Sequence, residues 1–278
     1  MTDPARDAST PRPPEGDWLG TPYLRFERHG SLARLVVDRP AARNAMTPAM
    51  YFGVRYAVDH VNRSPELVGL LITGTGDVFI PGGDLRGGVE DSWSEGLGLF
   101  GMDLTPFDAI LNSPKPVVSA VNGICQGGGL LIAMLSDVAV AAPNATFRAP
   151  EVFRGIADTG YAQYLPHQIG PARARDMLLT GRVVDAPTAV EWGLVSRMAA
   201  SSETLIEEAT EALTAIAWGG PEARATVKRE INRQYGRADR MSMDQSLASA
   251  ECVEGWRAFA ERRAPNWIPD DIRPDGRI

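Results

Sequence analysis

Two glycine-rich segments, each directly after an apolar segment, are the first candidates for chemistry. Residues 74–85 (GTGDVFIPGGDL) follow VGLLIT, and residues 122–130 (NGICQGGGL) follow PVVSAV. Neither has the spacing of a phosphate loop or of a dinucleotide-binding GxGxxG turn. Three glycines, 127–129, open an apolar helical stretch, where bare backbone N–H groups and the helix dipole would suit a developing oxyanion. The alternative is that these glycines only permit tight turns and close helix packing.

Two carboxylates follow the next apolar segment, DVAVAA. Glu151 has apolar neighbours, and a carboxylate held there could have a raised pKa and move protons near neutral pH. Asp158 lies between Gly155 and Gly160. Spacing alone favours a surface position for Glu151, and it favours a turn or helix-capping role before Tyr161 for Asp158.

The elements that must position these residues follow an α/β pattern. Residues 23–28 and 32–38 predict a β-hairpin with Gly30 in its turn. Thr47 and Pro48 predict the N-cap and first residue of a helix that runs to Asn62. The apolar segments are short strands with glycine-rich loops and helices between them, which favours an α/β fold. Those segments are residues 68–73, 116–121 and 137–142.

The chain becomes helical after about residue 172. The apolar faces of these helices need a partner, which is either the α/β body or another subunit. Predicted helices are residues 172–179, a short helix from Asp185 to Gly193, and residues 202–218, 221–235 and 244–261. The predicted organisation is an N-terminal tail (residues 1–20), a core (21–200), a C-terminal helical region (201–268) and a final tail (269–278).

Composition narrows the function. With 28 Lys plus Arg against 35 Asp plus Glu, the net charge of −7 argues against a nucleic-acid or anionic-membrane binder. Two cysteines and three histidines without ligand spacing argue against a disulfide framework and a metal site. No apolar run approaches the roughly 20 residues of a membrane span, and the N-terminus lacks the apolar core of a signal peptide. A cytoplasmic protein is therefore expected.

Four segments, in this order, resemble motifs of the crotonase superfamily, the enoyl-CoA hydratase and isomerase family. Residues 39–46 (RPAARNAM) resemble RPxxRNAL, and residues 79–85 (FIPGGDL) are similar to FxAGxDL. Residues 121–137 resemble VNGxxxGGGxxLAxxxD, and residues 253–265 resemble EGxxAFxEKRxP. The resemblance covers residues 22–268.

The resemblance implies a crotonase-like spiral of ββα repeats with a C-terminal helical trimerisation region, assembled as a homotrimer or a dimer of trimers. It also implies an acyl-CoA thioester as ligand, with no separate cofactor because coenzyme A is part of the substrate. The family's two N–H donors to the thioester oxygen fall on Gly83 and Gly128. Ligand contacts are expected at Arg43, Ala45, Pro81, Gly82, Asp84, Leu85, Phe259 and Arg262. Residues 87–101, with five glycines, are expected to cover the acyl pocket.

The departures from the family pattern decide the expected reaction. The first glutamate of the family's hydratases is Leu131 here, whereas the second matches Glu151, and Asp158 resembles an aspartate found in some isomerases. Loss of one of two carboxylates that would orient a water favours double-bond isomerisation, with Glu151 and Asp158 as catalytic carboxylates. Hydration of a 2-enoyl-CoA, hydrolysis of a thioester or carbon–carbon bond, and non-catalytic acyl-CoA binding are the alternatives.

Overall fold

Two β-sheets form the body of the protein in the computed structural model, which describes residues 16–84, 105–236 and 238–269. The strands are β1 (Leu24–His29), β2 (Leu32–Val37), β3 (Gly69–Gly74), β4 (Val78–Ile80), β5 (Val117–Val121), β6 (Ile124–Gln126), β7 (Val138–Ala141), β8 (Thr146–Arg148), β9 (Val184–Asp185) and β10 (Arg197–Met198). One sheet has the order β1-β2-β3-β5-β7-β10, and the other has the order β4-β6-β8-β9.

From β3 to β8, successive strands alternate between the two sheets, which produces the spiral. β3, β5 and β7 lie side by side and parallel in the first sheet, and the strand after each of them, β4, β6 or β8, pairs in the second. Helices separate the repeats, as expected for parallel strands joined by crossovers. The predicted crotonase-like α/β fold is confirmed. The loops that leave β4 and β6 consequently lie on neighbouring strands.

The helices take up most of the remaining described chain. They are α1 (Pro48–Arg63), α2 (Phe107–Leu111), α3 (Gly128–Leu135), α4 (Thr159–Ile169), α5 (Pro171–Thr180), α6 (Ala186–Trp192), α7 (Leu205–Ala217), α8 (Pro221–Asn232), α9 (Arg240–Leu247) and α10 (Ala250–Glu261). No described helix is long and apolar enough to span a bilayer. 

Local predictions near the N-terminus hold. The hairpin pairs β1 with β2 antiparallel, from Leu24 opposite Val37 to His29 opposite Leu32. The Thr47 side chain accepts a hydrogen bond from the Met50 N–H at 3.3 Å and so caps α1.

Two of the C-terminal helices, α7 and α10, pack on the α/β body. Leu205, Ala209 and Leu213 of α7 cluster with Leu71 and Val118 of the first sheet. α10 approaches the segment after β8 so closely that a Cβ at Gly255 would overlap the backbone of Arg154. Of the two partners considered from the sequence, the α/β body or another subunit, the body therefore covers part of the apolar surface of these helices.

One predicted helix is wrong. Residues 244–261 form parts of two helices, because α9 begins earlier and ends at Leu247, and Ser249 then caps α10 by accepting from the Cys252 N–H at 3.1 Å. The predicted oligomer, the exact domain boundaries and the cytoplasmic location stay predictions. Residues 1–15, the predicted cover at 87–101 and most of the final tail lie outside the described residues.

Asn44 fastens the loop before α1 to the loop before β4. Its Nδ2 donates to the carbonyls of Val78 (2.7 Å) and Thr75 (3.0 Å), and its Oδ1 accepts from the Arg39 N–H (3.0 Å). The residue is buried and has a left-handed backbone conformation with φ 62°, which asparagine tolerates better than most residues. Asn44 thus fixes the two segments from which one side of the site is built.

We expect Asn44→Ala to lower the free energy of unfolding by about 3 kcal/mol, because it strands buried backbone groups and leaves alanine at a positive φ. Urea denaturation measures the change. Asn112→Ala, which removes one exposed hydrogen bond to the Asp108 carbonyl, is the matched control and should change stability by no more than about 0.5 kcal/mol. Equal losses in the two variants would contradict this account of the Asn44 contacts.

Candidate active site

The first glycine-rich loop pairs with Met46 in a way that leaves the Gly83 N–H without an acceptor in the described part of the chain. After β4, the Gly82 carbonyl accepts from the Met46 N–H and the Asp84 N–H donates to the Met46 carbonyl, both at 2.9 Å. These two bonds form a single parallel bridge between Met46 and Gly83. Because the Gly82 carbonyl points toward Met46, the Gly83 N–H of the same trans peptide points away from Met46. This N–H donates to no acceptor among the described residues. Gly83 lines a cavity of about 440 Å³.

The second loop presents its amide as the start of a helix. Gly127 precedes α3 with φ 54°, and its carbonyl accepts from the Leu130 N–H at 2.8 Å and from the Tyr161 hydroxyl. Gly128 is the first residue of α3, so its N–H has no partner within the helix. It lines the same cavity as Gly83. The positive end of the α3 dipole therefore faces this cavity.

Close backbone contact brings the two loops together. A Cβ added at Gly127 would lie 3.0 Å from the Gly82 Cα and 3.1 Å from the Glu151 Oε1. Gly127 also has the positive φ that L side chains rarely adopt. Glycine at position 127 thus permits the close contact between the two loops and also leaves the start of α3 exposed. Both interpretations of the glycine-rich motif therefore apply.

Glu151 is a buried carboxylate that faces this junction. It follows β8 at the start of a short 3₁₀ turn, Glu151–Arg154, and its Oε2 is buried with no hydrogen-bond partner among the described residues. Burial first, and the nearby charge of Asp158 second, raise the pKa of Glu151 well above its usual range. The sequence interpretation of a carboxylate in an apolar setting is supported, and a surface glutamate is excluded.

Asp158 performs the capping role that the sequence left open and also lines the cavity. Its Oδ1 accepts from the N–H groups of Gly160 (2.9 Å) and Tyr161 (3.1 Å) at the start of α4. Burial raises the pKa of this carboxyl, while the two N–H bonds oppose that rise. A carboxylate fixed by two backbone bonds is held in position and cannot swing freely toward a ligand.

Leu131 supplies an apolar wall between α3 and α4. It is buried and lines the cavity, and its two methyl carbons lie 3.7 and 3.8 Å from where a Cβ would extend from Gly160. The carboxylate-bearing side of the cavity thus has two acidic groups, Glu151 and Asp158, with a leucine beside them.

Most of the predicted ligand-contacting residues line this one cavity. They are Arg43, Ala45, Pro81, Gly82, Asp84 and Phe259. The Asp84 carboxylate is paired with the Arg39 guanidinium at 2.7 Å, so it also holds the loop in place. Arg262, at the exposed C-cap of α10, does not belong to this lining, and Leu85 lies outside the described residues.

Sequence reasoning missed several cavity-lining side chains. Tyr51, Phe107 and Tyr164 add aromatic surface, and Arg154 lies over the Phe259 ring at 4.7 Å from its centroid. Tyr51 lies on α1 next to the core residue Met50, so the sequence pattern alone predicts that it packs in the core. The only signal for Arg154 is its distance of three residues from Glu151, which is weak without the fold.

Comparison with known proteins assigns the chain to a family. The family model described as enoyl-CoA hydratase/isomerase matches residues 27–269, and the chain belongs to this family. A carnitinyl-CoA dehydratase of Citrobacter koseri is 35% identical over 261 residues, which are 88% of this chain and 97% of that protein. A homologue in Salmonella typhi with the same name is also 35% identical over the same coverage.

Solved structures agree with this assignment. An enoyl-CoA hydratase/isomerase from Pseudoalteromonas atlantica T6c superposes with a TM-score of 0.75 at 28% identity, covering 88% of this chain and 100% of that one. A carnitinyl-CoA dehydratase from Mycobacterium avium 104 has a TM-score of 0.74 at 31% identity, covering 89% and 99% of the two chains. The protein is thus an enzyme of the enoyl-CoA hydratase/isomerase family.

The packing of Tyr51 against the second loop makes Gly128 intolerant of a side chain. A Cβ there would lie 2.6 Å from Cε1 and 2.8 Å from Cζ of the Tyr51 ring, closer than carbon atoms can approach. We expect Gly128→Ala to lower the free energy of unfolding by about 1–3 kcal/mol, a typical cost of overpacking.

Chemical denaturation checks this value against Gly220→Ala as control, where the new Cβ meets only the Ala223 Cβ at 3.9 Å. Gly220 lies before α8, away from the cavity, so its substitution should change stability by no more than about 0.5 kcal/mol. An unchanged stability of Gly128→Ala would show that Tyr51 does not pack against this glycine.

Proposed function

We propose that this enzyme moves a proton next to the carbonyl of an acyl-CoA thioester and that its preferred reaction is double-bond isomerisation of an enoyl-CoA. The observation that carries the proposal is the pair of unpartnered amides, Gly83 and Gly128, on the same cavity as the buried Glu151. Removal of a proton from the acyl chain pushes negative charge onto the thioester oxygen. Two fixed N–H donors stabilise that charge most where water is excluded.

Glu151 is the proposed base. A carboxylate with a raised pKa takes up a proton more readily than an ordinary glutamate and returns it to another carbon at neutral pH. In an isomerisation the proton leaves the α-carbon of a 3-enoyl-CoA, and the electron pair of that C–H bond delocalises onto the thioester oxygen to form a dienolate. The proton then returns at the γ-carbon, which restores the carbonyl and leaves the double bond between C2 and C3, so one acid–base group serves both steps.

Leu131 supports isomerisation over hydration. Addition of water needs that water to be oriented against the β-carbon, and an apolar wall provides no acceptor for its protons. A direct proton shuttle by Glu151 has no such requirement. The proposal calls for no separate cofactor, because side chains and amides supply every step.

Hydration is the second candidate function, and two observations favour it. The carnitinyl-CoA dehydratase relatives are named for the reverse of a hydration. Asp158 adds a second carboxylate to the cavity. Its Oδ1 accepts the two capping hydrogen bonds, which leaves Oδ2 to accept a hydrogen bond or a proton from a bound water.

Product analysis separates the candidates. We expect a 3-enoyl-CoA to yield the 2-enoyl-CoA faster than a 2-enoyl-CoA yields the 3-hydroxyacyl-CoA. Glu151→Gln keeps the size of the side chain but removes its basicity, so we expect turnover to fall by about 10²–10⁴-fold. Chromatography of the CoA products measures both rates.

Several results would contradict the proposal in different ways. Hydration without isomerisation would reverse the order of the two candidates. Free acid or free coenzyme A among the products would identify a hydrolase, and a thermal shift with acyl-CoA but no turnover would identify a non-catalytic binder. Unchanged turnover in Glu151→Gln would exclude Glu151 as the base.

Leu131 itself can be tested as the residue that sets the product. Leu131→Glu introduces a carboxylate that can orient water, and we expect it to shift the ratio of hydration to isomerisation by about tenfold or more toward hydration. The added charge beside Glu151 and Asp158 should also lower stability, because burying a carboxylate is costly.

Leu131→Met is the matched control, since it conserves volume and adds no charge. Its product ratio should equal that of the unsubstituted protein. The same product ratio in Leu131→Glu as in Leu131→Met would show that the apolar wall does not select the reaction.

A further inference from the structure

The Tyr51 hydroxyl is a polar group in the candidate site to which the proposed function gives no role. It extends from α1, is 5% exposed, and lines the cavity with Gly83, Gly128 and Glu151. Its ring forms an edge-to-face contact with Phe107, with the centroids 6.2 Å apart. Among the described residues, its hydroxyl has no hydrogen-bond partner. A buried phenol normally finds a partner, so this hydroxyl is available to a ligand.

The hydroxyl lies against the backbone of the second loop. A Cβ built on Gly128 would overlap the Tyr51 ring, and its nearest neighbour would be the hydroxyl oxygen itself. The phenol therefore adjoins the same Cα whose N–H opens α3. An oxygen atom that accepts from the Gly128 N–H would be close to this hydroxyl as well.

We propose that the Tyr51 hydroxyl is a third hydrogen-bond donor to the acyl oxygen, beside the Gly83 and Gly128 amides. The inference rests on the proposed function, since it requires a thioester carbonyl in this cavity. It makes Tyr51 a catalytic residue, because its hydroxyl would contact the oxygen on which negative charge develops. No proton needs to leave the phenol.

The surroundings of Tyr51 keep it a donor. Burial, and then the negative charges of Glu151 and Asp158, raise the pKa of this phenol above its usual range. A protonated hydroxyl can donate to an oxyanion, whereas a phenolate would repel it. In this structure neither carboxylate accepts a hydrogen bond from the Tyr51 hydroxyl.

A bound enolate gives a direct readout of the interaction. A 3-ketoacyl-CoA is a 1,3-dicarbonyl compound whose enolate absorbs in the near ultraviolet and whose keto form does not. Donors at the acyl oxygen favour the enolate, so the bound enolate reports on the oxyanion site without turnover. We expect Tyr51→Phe to reduce the apparent enolisation constant of bound acetoacetyl-CoA by about tenfold.

Kinetics and ground-state binding complete the experiment. In Tyr51→Phe, kcat with a 3-enoyl-CoA should fall by about tenfold or more while KM changes little, because the donor acts mainly on the developing charge. The Kd of butyryl-CoA, which has a neutral carbonyl and is not turned over, should change by less than about threefold. The phenylalanine ring keeps the contact with Phe107, so the thermal unfolding midpoint checks that the fold is intact.

Tyr56→Phe is the matched control. Tyr56 lies on the same helix, is half-buried and does not belong to the cavity lining. Its loss of a hydroxyl should leave the enolate absorbance, kcat and KM unchanged.

The possible failures are distinguishable. An enolate band and a kcat in Tyr51→Phe that match those of the unsubstituted protein would overturn the role of Tyr51 and leave the proposed function standing. Absence of both acetoacetyl-CoA binding and enoyl-CoA turnover in the unsubstituted protein would overturn both proposals. Equal losses in Tyr51→Phe and Tyr56→Phe would show a general effect on α1 and would also overturn the role of Tyr51.

Discussion

The site depends on two backbone N–H groups that are kept without partners inside the protein. Such groups are costly, because a buried donor without an acceptor loses its bonds to water. In this protein the local geometry of the chain limits this cost in free energy. The Gly83 N–H is unpaired because its neighbours complete a one-residue parallel bridge, and the Gly128 N–H is unpaired because every helix leaves its first amides free. Both face a cavity that a ligand or water can enter.

The rest of the body fixes the positions of these two amides relative to one another. β4 and β6 are parallel neighbours, so their following loops leave the sheet at the same edge. Asn44 and the Arg39–Asp84 ion pair hold the loop before α1 against the first glycine-rich loop. The Tyr161 hydroxyl donates to the Gly127 carbonyl and so connects α4 to the second loop. Fixed donors of this kind need no reorganisation when charge develops, which is the physical basis of an oxyanion site.

Patterns local in sequence predicted much of this arrangement. Alternation and a glycine turn were enough for the hairpin, Thr47-Pro48 for the start of α1, and the three glycines for an exposed helix start. The sequence could not show that Asp158 both caps α4 and lines the cavity, since these roles depend on where α4 meets α3. The break at Ser249 was missed because the apolar spacing continues through it. Tyr51 and Arg154 were missed because only tertiary packing distinguishes a core aromatic or a surface arginine from a cavity-lining one.

The electrostatics of the two carboxylates suggest why a leucine at position 131 is compatible with proton transfer. Glu151 and Asp158 are half-buried side chains that line the same cavity, and each has a raised pKa. A third carboxylate at Leu131 would add a like charge beside Gly160 and raise these pKa values further. Beyond some point the base would remain protonated at neutral pH and could no longer accept a proton. The apolar side chain therefore limits the negative charge of the cavity, while the amides of Gly83 and Gly128 supply the positive potential that a developing enolate requires.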